Sequence, residues 1–286
     1  MSPSWIAVAR ETLISELTTF SATERFFADF GEHVDLTQWL TAWLYEETKH
    51  PSVILKWLDA FGEKFDSRFM LQGRQSLPFM PERMGTLASN VISEMVASTS
   101  YLTLSEQPSI DPVFKQICRN VSGDEARHAA SFYGYAKKRL ARADNPNKEK
   151  LEALKVLYFW VTPEFNGRVG HPVNLLANRY MTIPSLQEVL VADSIRHAYE
   201  NTHKRAIRVF GTLLGYPEGS QGRGGPARRA AWLTTTWRPG PGAGAQPTLA
   251  VVEGDEVRAV QRIGHPSIHI PQRHIASHPD PRYRSA

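Results

Sequence analysis

Glu47 and His50, within Trp43-Leu-Tyr-Glu46-Glu47-Thr-Lys-His50, set a carboxylate and an imidazole three residues apart in an otherwise apolar seam. On a helix that spacing stacks the two side chains one turn apart on a single face. The arrangement recurs far along the chain at Asp124-Glu125-Ala-Arg127-His128. Carboxylate oxygens with imidazole nitrogens suit iron or manganese better than soft metals. A Glu-x-x-His unit on each of two helices, with one further Glu from each of two others, is how a helical bundle builds a carboxylate-bridged dinuclear site.

Two further carboxylates are therefore needed on apolar stripes. Glu16 falls in the series Ile6, Ala9, Leu13, Glu16, Phe20, Thr23 and Phe27, and Glu94 in the series Leu87, Val91, Glu94, Ala97 or Ser98, and Tyr101. Glu11 and Glu24 are neighbouring alternatives to Glu16, and only the stripe selects among them. An unpaired buried charge is strongly destabilising, so four such carboxylates require compensation. Two divalent cations match four carboxylates and leave both imidazoles neutral. The predicted ligands are thus Glu16, Glu47, His50, Glu94, Glu125 and His128, holding two iron ions, with manganese as the alternative metal. Asp124 and Lys49 each adjoin a ligand and are candidates to orient an imidazole through its free N–H; an ordinary exposed salt bridge is the alternative for both.

The elements that must position these residues are long helices. Ser2-Pro3 reads as a cap followed by a first-turn proline, opening one helix that runs to a break at Gly31. Asp35-Leu-Thr-Gln38 reads as a capping box. The next helix carries the seam Leu36, Leu40, Trp43, Glu47, His50, Ile54, Trp57 and Phe61, with a kink expected at Pro51 and Glu46 beside the seam. Pro81 can open a third helix. Asp111-Pro112 opens a fourth, through Val121, Glu125, His128, Phe132 and Tyr135 to Asn145-Pro146. Residues 150–161 and 185–214 read as two more helices. The fold class is therefore all-α, a four-helix bundle with additional C-terminal helices, spanning residues 1–217.

After about residue 217 the composition shifts to Gly, Pro and Arg, which reads as a disordered or weakly structured tail over 218–286. Leu249-Ala-Val-Val and Val257-Arg-Ala-Val can pair as a small hairpin there. The tail's His265, His269, His274 and His278 read as scattered exposed histidines. Cys118 is the single cysteine, which excludes an intrachain disulfide framework, argues against a structural zinc site, and points to a reducing compartment. The N-terminus lacks the features of a signal peptide, and no apolar run reaches the ~18 residues of a membrane span. A cytoplasmic protein is expected. The formal charge of +4 favours an acidic partner; no recognition motif supports nucleic acid.

With these motifs in view, the chain resembles the soluble acyl-ACP desaturases of the ferritin-like superfamily. The likeness rests on Glu46-Glu47-Thr-Lys-His50, on Asp124-Glu125-Ala-Arg127-His128 and on the order of the four glutamates, and it extends loosely to about Leu214, through Asn174-Leu-Leu-Ala-Asn-Arg-Tyr. It implies terminal roles for Glu16 and Glu94, bridging roles for Glu47 and Glu125, and one imidazole per iron. It also implies acyl carrier protein and a ferredoxin-type electron donor as partners, and admits a homodimer. Lys137, Lys138, Arg139, Arg142, Lys204, Arg205 and Arg208 are candidate docking charges, or simply solvated helix faces. The chain departs from the family in its shorter N-terminal segment and at Ala97, where plant members carry a threonine that supports proton delivery; Ser98 and Thr99 are the nearest hydroxyls. The rival readings are another di-iron oxygenase, such as a hydroxylase or N-oxygenase, a radical-generating protein using Tyr45, Tyr101 or Tyr133, and an iron-binding protein.

Overall fold

The computed structural model describes residues 2–72, 80, 82–161, 194–215, 248–253 and 256–262. The architecture is an all-α helical bundle. It comprises α1 (Pro3–Glu16), α2 (Thr19–Phe30), α3 (Val34–Glu47), α4 (Lys49–Asp59), the short α5 (Ser67–Gln72), α6 (Arg83–Ser105), α7 (Pro112–Arg142), α8 (Pro146–Val161) and α9 (Ser194–Leu214). Chain contacts separate Met1–Ala230 from Ala231–Ala286. In the second unit β1 (Thr248–Glu253) pairs antiparallel with β2 (Glu256–Arg262), opposing Ala250 to Ala259 and Val252 to Val257. The expected hairpin is therefore present. Pro81, the segment 162–193 and the four tail histidines lie outside the described residues.

Two of the helix starts follow their sequence signals. Ser2 caps α1 by accepting from the Ser4 amide, and Asp111 caps α7 by accepting from the Val113 and Phe114 amides at 2.9 and 3.0 Å. The capping box at Asp35 does not form. Helix α3 starts one residue after His33, which places Asp35 inside the first turn, where its carboxylate accepts from its neighbour Leu36.

The first two rods are each broken. The expected single helix from Ser2-Pro3 to a break at Gly31 ends at Glu16 and resumes at Thr19. No Gly or Pro marks the break; hydroxyls do. Thr12, Thr18 and Thr23 donate to the carbonyls of Val8, Ser15 and Thr19, back-bonds that bend helices. The break also shifts the buried face by one position, so Phe26 is fully buried while Phe27 is 40% exposed. The second rod parts at Thr48, upstream of Pro51. Pro51 has no N–H for the carbonyl four residues back, that of Glu47, and its ring crowds that carbonyl, so the discontinuity falls where the missing bond would lie.

These breaks are level with each other and divide the helical unit into two apolar cores. One gathers Phe26, Phe30, Leu40, Trp43, Leu87, Val91, Phe132, Leu157, Trp160 and Phe210 from α2, α3, α6, α7, α8 and α9. The other gathers Trp5, Leu13, Ile54, Leu58, Phe114 and Cys118 from α1, α4 and α7, with Tyr101 and Leu104 of α6. The charged residues predicted as ligands occupy the layer between them.

Candidate metal centre

Glu16 is the last residue of α1, Glu47 the last of α3 and His50 the second of α4, while Glu94 lies mid-way along α6 and Glu125 and His128 mid-way along α7. All are buried. Glu11 is only half-buried and Glu24 is exposed, so of the three alternatives on the first rod Glu16 is the one that faces inward. The six side chains converge as two overlapping groups whose ligating atoms lie within 4.8 Å of one another: Glu16, Glu47, His50 and Glu125, and Glu47, Glu94, Glu125 and His128. Either group could hold a metal ion.

The orientation of individual oxygens distinguishes the carboxylates. His50 Nδ1 lies 3.2 Å from Glu16 Oε2, 3.6 Å from Glu125 Oε1 and 3.9 Å from Glu47 Oε2. His128 Nδ1 lies 2.9 Å from Glu47 Oε1, 3.2 Å from Glu125 Oε2 and 3.9 Å from Glu94 Oε2. Glu47 and Glu125 thus offer one oxygen to each imidazole, whereas Glu16 and Glu94 each serve one. That is the distribution two bridging and two terminal carboxylates require.

Electrostatics show what the site lacks without a cation. Burial, reinforced by the charge of Glu125, raises the Glu47 carboxyl to about 7. Burial and Glu125 likewise push Glu94 well above the carboxylate range. Burial acts upward on Glu125 too, but hydrogen bonds from Glu94 and His128 hold it below its ordinary value. Burial would lower both imidazoles, yet the surrounding carboxylates outweigh it and lift His50 and His128 to about 10. The metal-free site therefore keeps protons where ligand lone pairs should be. Glu47 Oε1 lies 2.9 Å from His128 Nδ1, so an oxygen and a nitrogen that could both ligate are held side by side inside the protein. A cation fits that arrangement.

Around this layer the polar contacts are specific. Thr19 donates to Glu47 Oε2 at 2.9 Å, and the Tyr101 hydroxyl donates to Glu16 Oε1. Asp124 Oδ2 lies 3.3 Å from His50 Nε2, so Asp124 sits against the imidazole of the other motif and not against that of its own. Glu46 Oε2 is placed likewise against His128 Nε2, at 3.0 Å. With Nε2–H donated outward, each neutral ring presents its Nδ1 lone pair inward. Lys49 does not take part: it is exposed, and its ammonium lies over the Tyr45 ring, 4.2 Å from the centroid. An exposed lysine finds an aromatic face on the last turn of α3, just across the break, more readily than a buried ring.

Ser98 and Thr99 are both occupied by backbone. Ser98 Oγ donates to the Ser122 carbonyl at 2.9 Å, and Ser122 Oγ returns a bond to the Ser98 carbonyl at 2.8 Å, stitching α6 to α7. Thr99 donates to Met95 O at 2.9 Å. Of the candidate tyrosines, Tyr45 is 67% exposed and Tyr101 is buried against Glu16. Glu46 and Thr19 touch the candidate ligands His128 and Glu47, and periodicity did not single out either. The acidic pair opening both motifs, Glu46-Glu47 and Asp124-Glu125, is the repeat that could have revealed Glu46. No protein-family model and no curated protein matches the chain.

Proposed function

We propose that the protein is a di-iron, oxygen-dependent desaturase of a fatty acyl chain carried on acyl carrier protein. The observation that carries this reading is the convergence of six ligand-type residues into two groups that share Glu47 and Glu125. A pair of redox-active metal ions, when bound, would supply the dioxygen activation needed to remove hydrogen from unactivated methylenes. The protein's residues do the rest. Glu47 and Glu125 would serve both metal positions, Glu16 and Glu94 would complete one each, and Asp124 and Glu46 would orient the imidazoles through Nε2. Trp43, Val91 and Phe132 on one side and Leu13, Ile54 and Val121 on the other exclude water from the layer.

Exposed basic side chains support an acidic carrier in part. Lys137 and Arg142 are exposed at the end of α7, and Lys204, Arg205 and Arg208 on α9. Lys138 and Arg139 are already engaged by Asp35 and Glu149. The test is direct: reduced, iron-loaded protein with ferredoxin-type electrons and oxygen should dehydrogenate a long saturated acyl-ACP. With Ser98 and Thr99 both turned to backbone carbonyls, oxygen consumption should exceed product, and Ala97→Thr should narrow that gap. If saturated acyl-ACPs of several lengths neither bind nor react while oxygen is consumed with another substrate, the desaturase reading falls.

One observation favours a second reading. The Tyr101 hydroxyl donates to the candidate ligand Glu16 inside the protein, which suits an oxygen-using di-iron protein that oxidises a tyrosine. A tyrosyl radical signal in the oxidised protein, absent in Tyr101→Phe, would establish it.

A further inference from the structure

The two motifs are cross-wired. The carboxylate that opens the first motif, Glu46, holds the imidazole that closes the second, His128, at 3.0 Å. The carboxylate that opens the second, Asp124, holds the imidazole that closes the first, His50, at 3.3 Å. One guanidinium joins these outer carboxylates: Arg127 Nη2 is hydrogen-bonded to Asp124 Oδ1 on its own helix and lies 3.8 Å from Glu46 Oε1 on α3. The first motif's cation at the same place before its histidine, Lys49, turns away to Tyr45. A single side chain therefore serves both halves of the layer.

We infer that Arg127 is a positioning residue that couples the two metal positions, by aiming both outer carboxylates at the two Nε2 atoms at once. The inference rests on the dinuclear reading above. Fixing a carboxylate orients the imidazole it binds, and such outer partners typically change metal affinity about 10- to 100-fold. Arg127 is 61% exposed and Asp124 and Glu46 are 25% and 36% exposed, so the same contacts add little to folding stability. Those magnitudes separate the two roles. A structural arginine would change the melting temperature of the metal-free protein; a positioning one changes metal binding and leaves that temperature in place.

The test is titration of the full-length metal-free protein with Co(II), followed by its d–d absorption, on wild type, Glu46→Gln, Asp124→Asn, Arg127→Ala, Arg127→Lys and Lys49→Ala. Wild type should take two ions. Glu46→Gln should weaken one binding step and Asp124→Asn the other. Arg127→Ala should weaken both steps by about 10- to 100-fold with an unchanged metal-free melting temperature, and Arg127→Lys should recover part of the loss. Lys49→Ala should match wild type. Weakening of a single step in Arg127→Ala, no weakening, or a lowered melting temperature in the metal-free protein would each overturn the inference. A wild type that binds no Co(II), iron or manganese would instead overturn the dinuclear reading itself and take this one with it.

Discussion

Glu47 is where the two halves of the ligand layer meet, with Oε2 accepting from Thr19 and turned toward His50, and Oε1 turned toward His128. Truncating it removes an oxygen from both groups at once, as does truncating Glu125. Anaerobically reconstituted Glu47→Ala and Glu125→Ala are expected to lose both irons by metal analysis; full retention of two would sink the assignment. Proton linkage gives a second expectation. The folded pKa values of His50 and His128, about 10, exceed their ordinary 6.5, so the stability they contribute is complete below 6.5 and is lost as pH rises through about 10. Glu47, raised from 4.5 to about 7, acts in the same direction over a lower window. Metal ions need these groups deprotonated and displace their protons. The melting temperature of the metal-free protein should therefore fall as the pH is raised from about 5 to about 8, while the increment added by saturating metal grows over that range. An increment that shrinks with rising pH would contradict the proton inventory of the site.

At the scale of elements, Asp111 binds the start of α7 to α4, since its Oδ1 accepts from the Val113 and Phe114 amides and from Trp57 Nε1 at 3.0 Å. Loss of such a cap costs about 0.5–2 kcal/mol. Asp111→Ala should lower the unfolding free energy measured by urea titration by that amount without changing metal stoichiometry. The same element shows what could be read in advance. Asp-Pro at a helix start is a local signal and needs no tertiary information, and the seam from Leu36 to Trp57 is buried as its three-and-four spacing implies, with Phe61 alone turning out 42% exposed. The break after Glu16 was not legible, because threonine back-bonding leaves the apolar periodicity almost intact and shifts it by one residue, enough to exchange Phe27 for Phe26. Nor could spacing reveal which carboxylate faces which ring. Glu46 reaching His128 depends on how α3 and α7 lie against each other, and a helix-by-helix reading places it beside the seam and stops there.

For the whole molecule, the helical unit carries its own two cores and every predicted ligand within residues 16–128. Deleting residues 218–286 is expected to leave its far-UV helical signal and melting temperature unchanged; a helical body that unfolds without them would show that the unit extends further. No helix among the described residues is long and apolar enough to cross a membrane. The aromatic content of those cores is unevenly placed with respect to the ligand layer. The Trp43 ring lies 6.4 Å from the His128 ring and stacks near Trp39, while Trp5 and Trp57 pack against Phe114 in the opposite core. The protein thus has a built-in optical reporter. Filling the layer with a paramagnetic ion should quench the emission of Trp43 more than that of Trp5 or Trp57, and Trp43→Phe should remove most of the metal-sensitive fluorescence, which would let occupancy be followed in real time without any added dye.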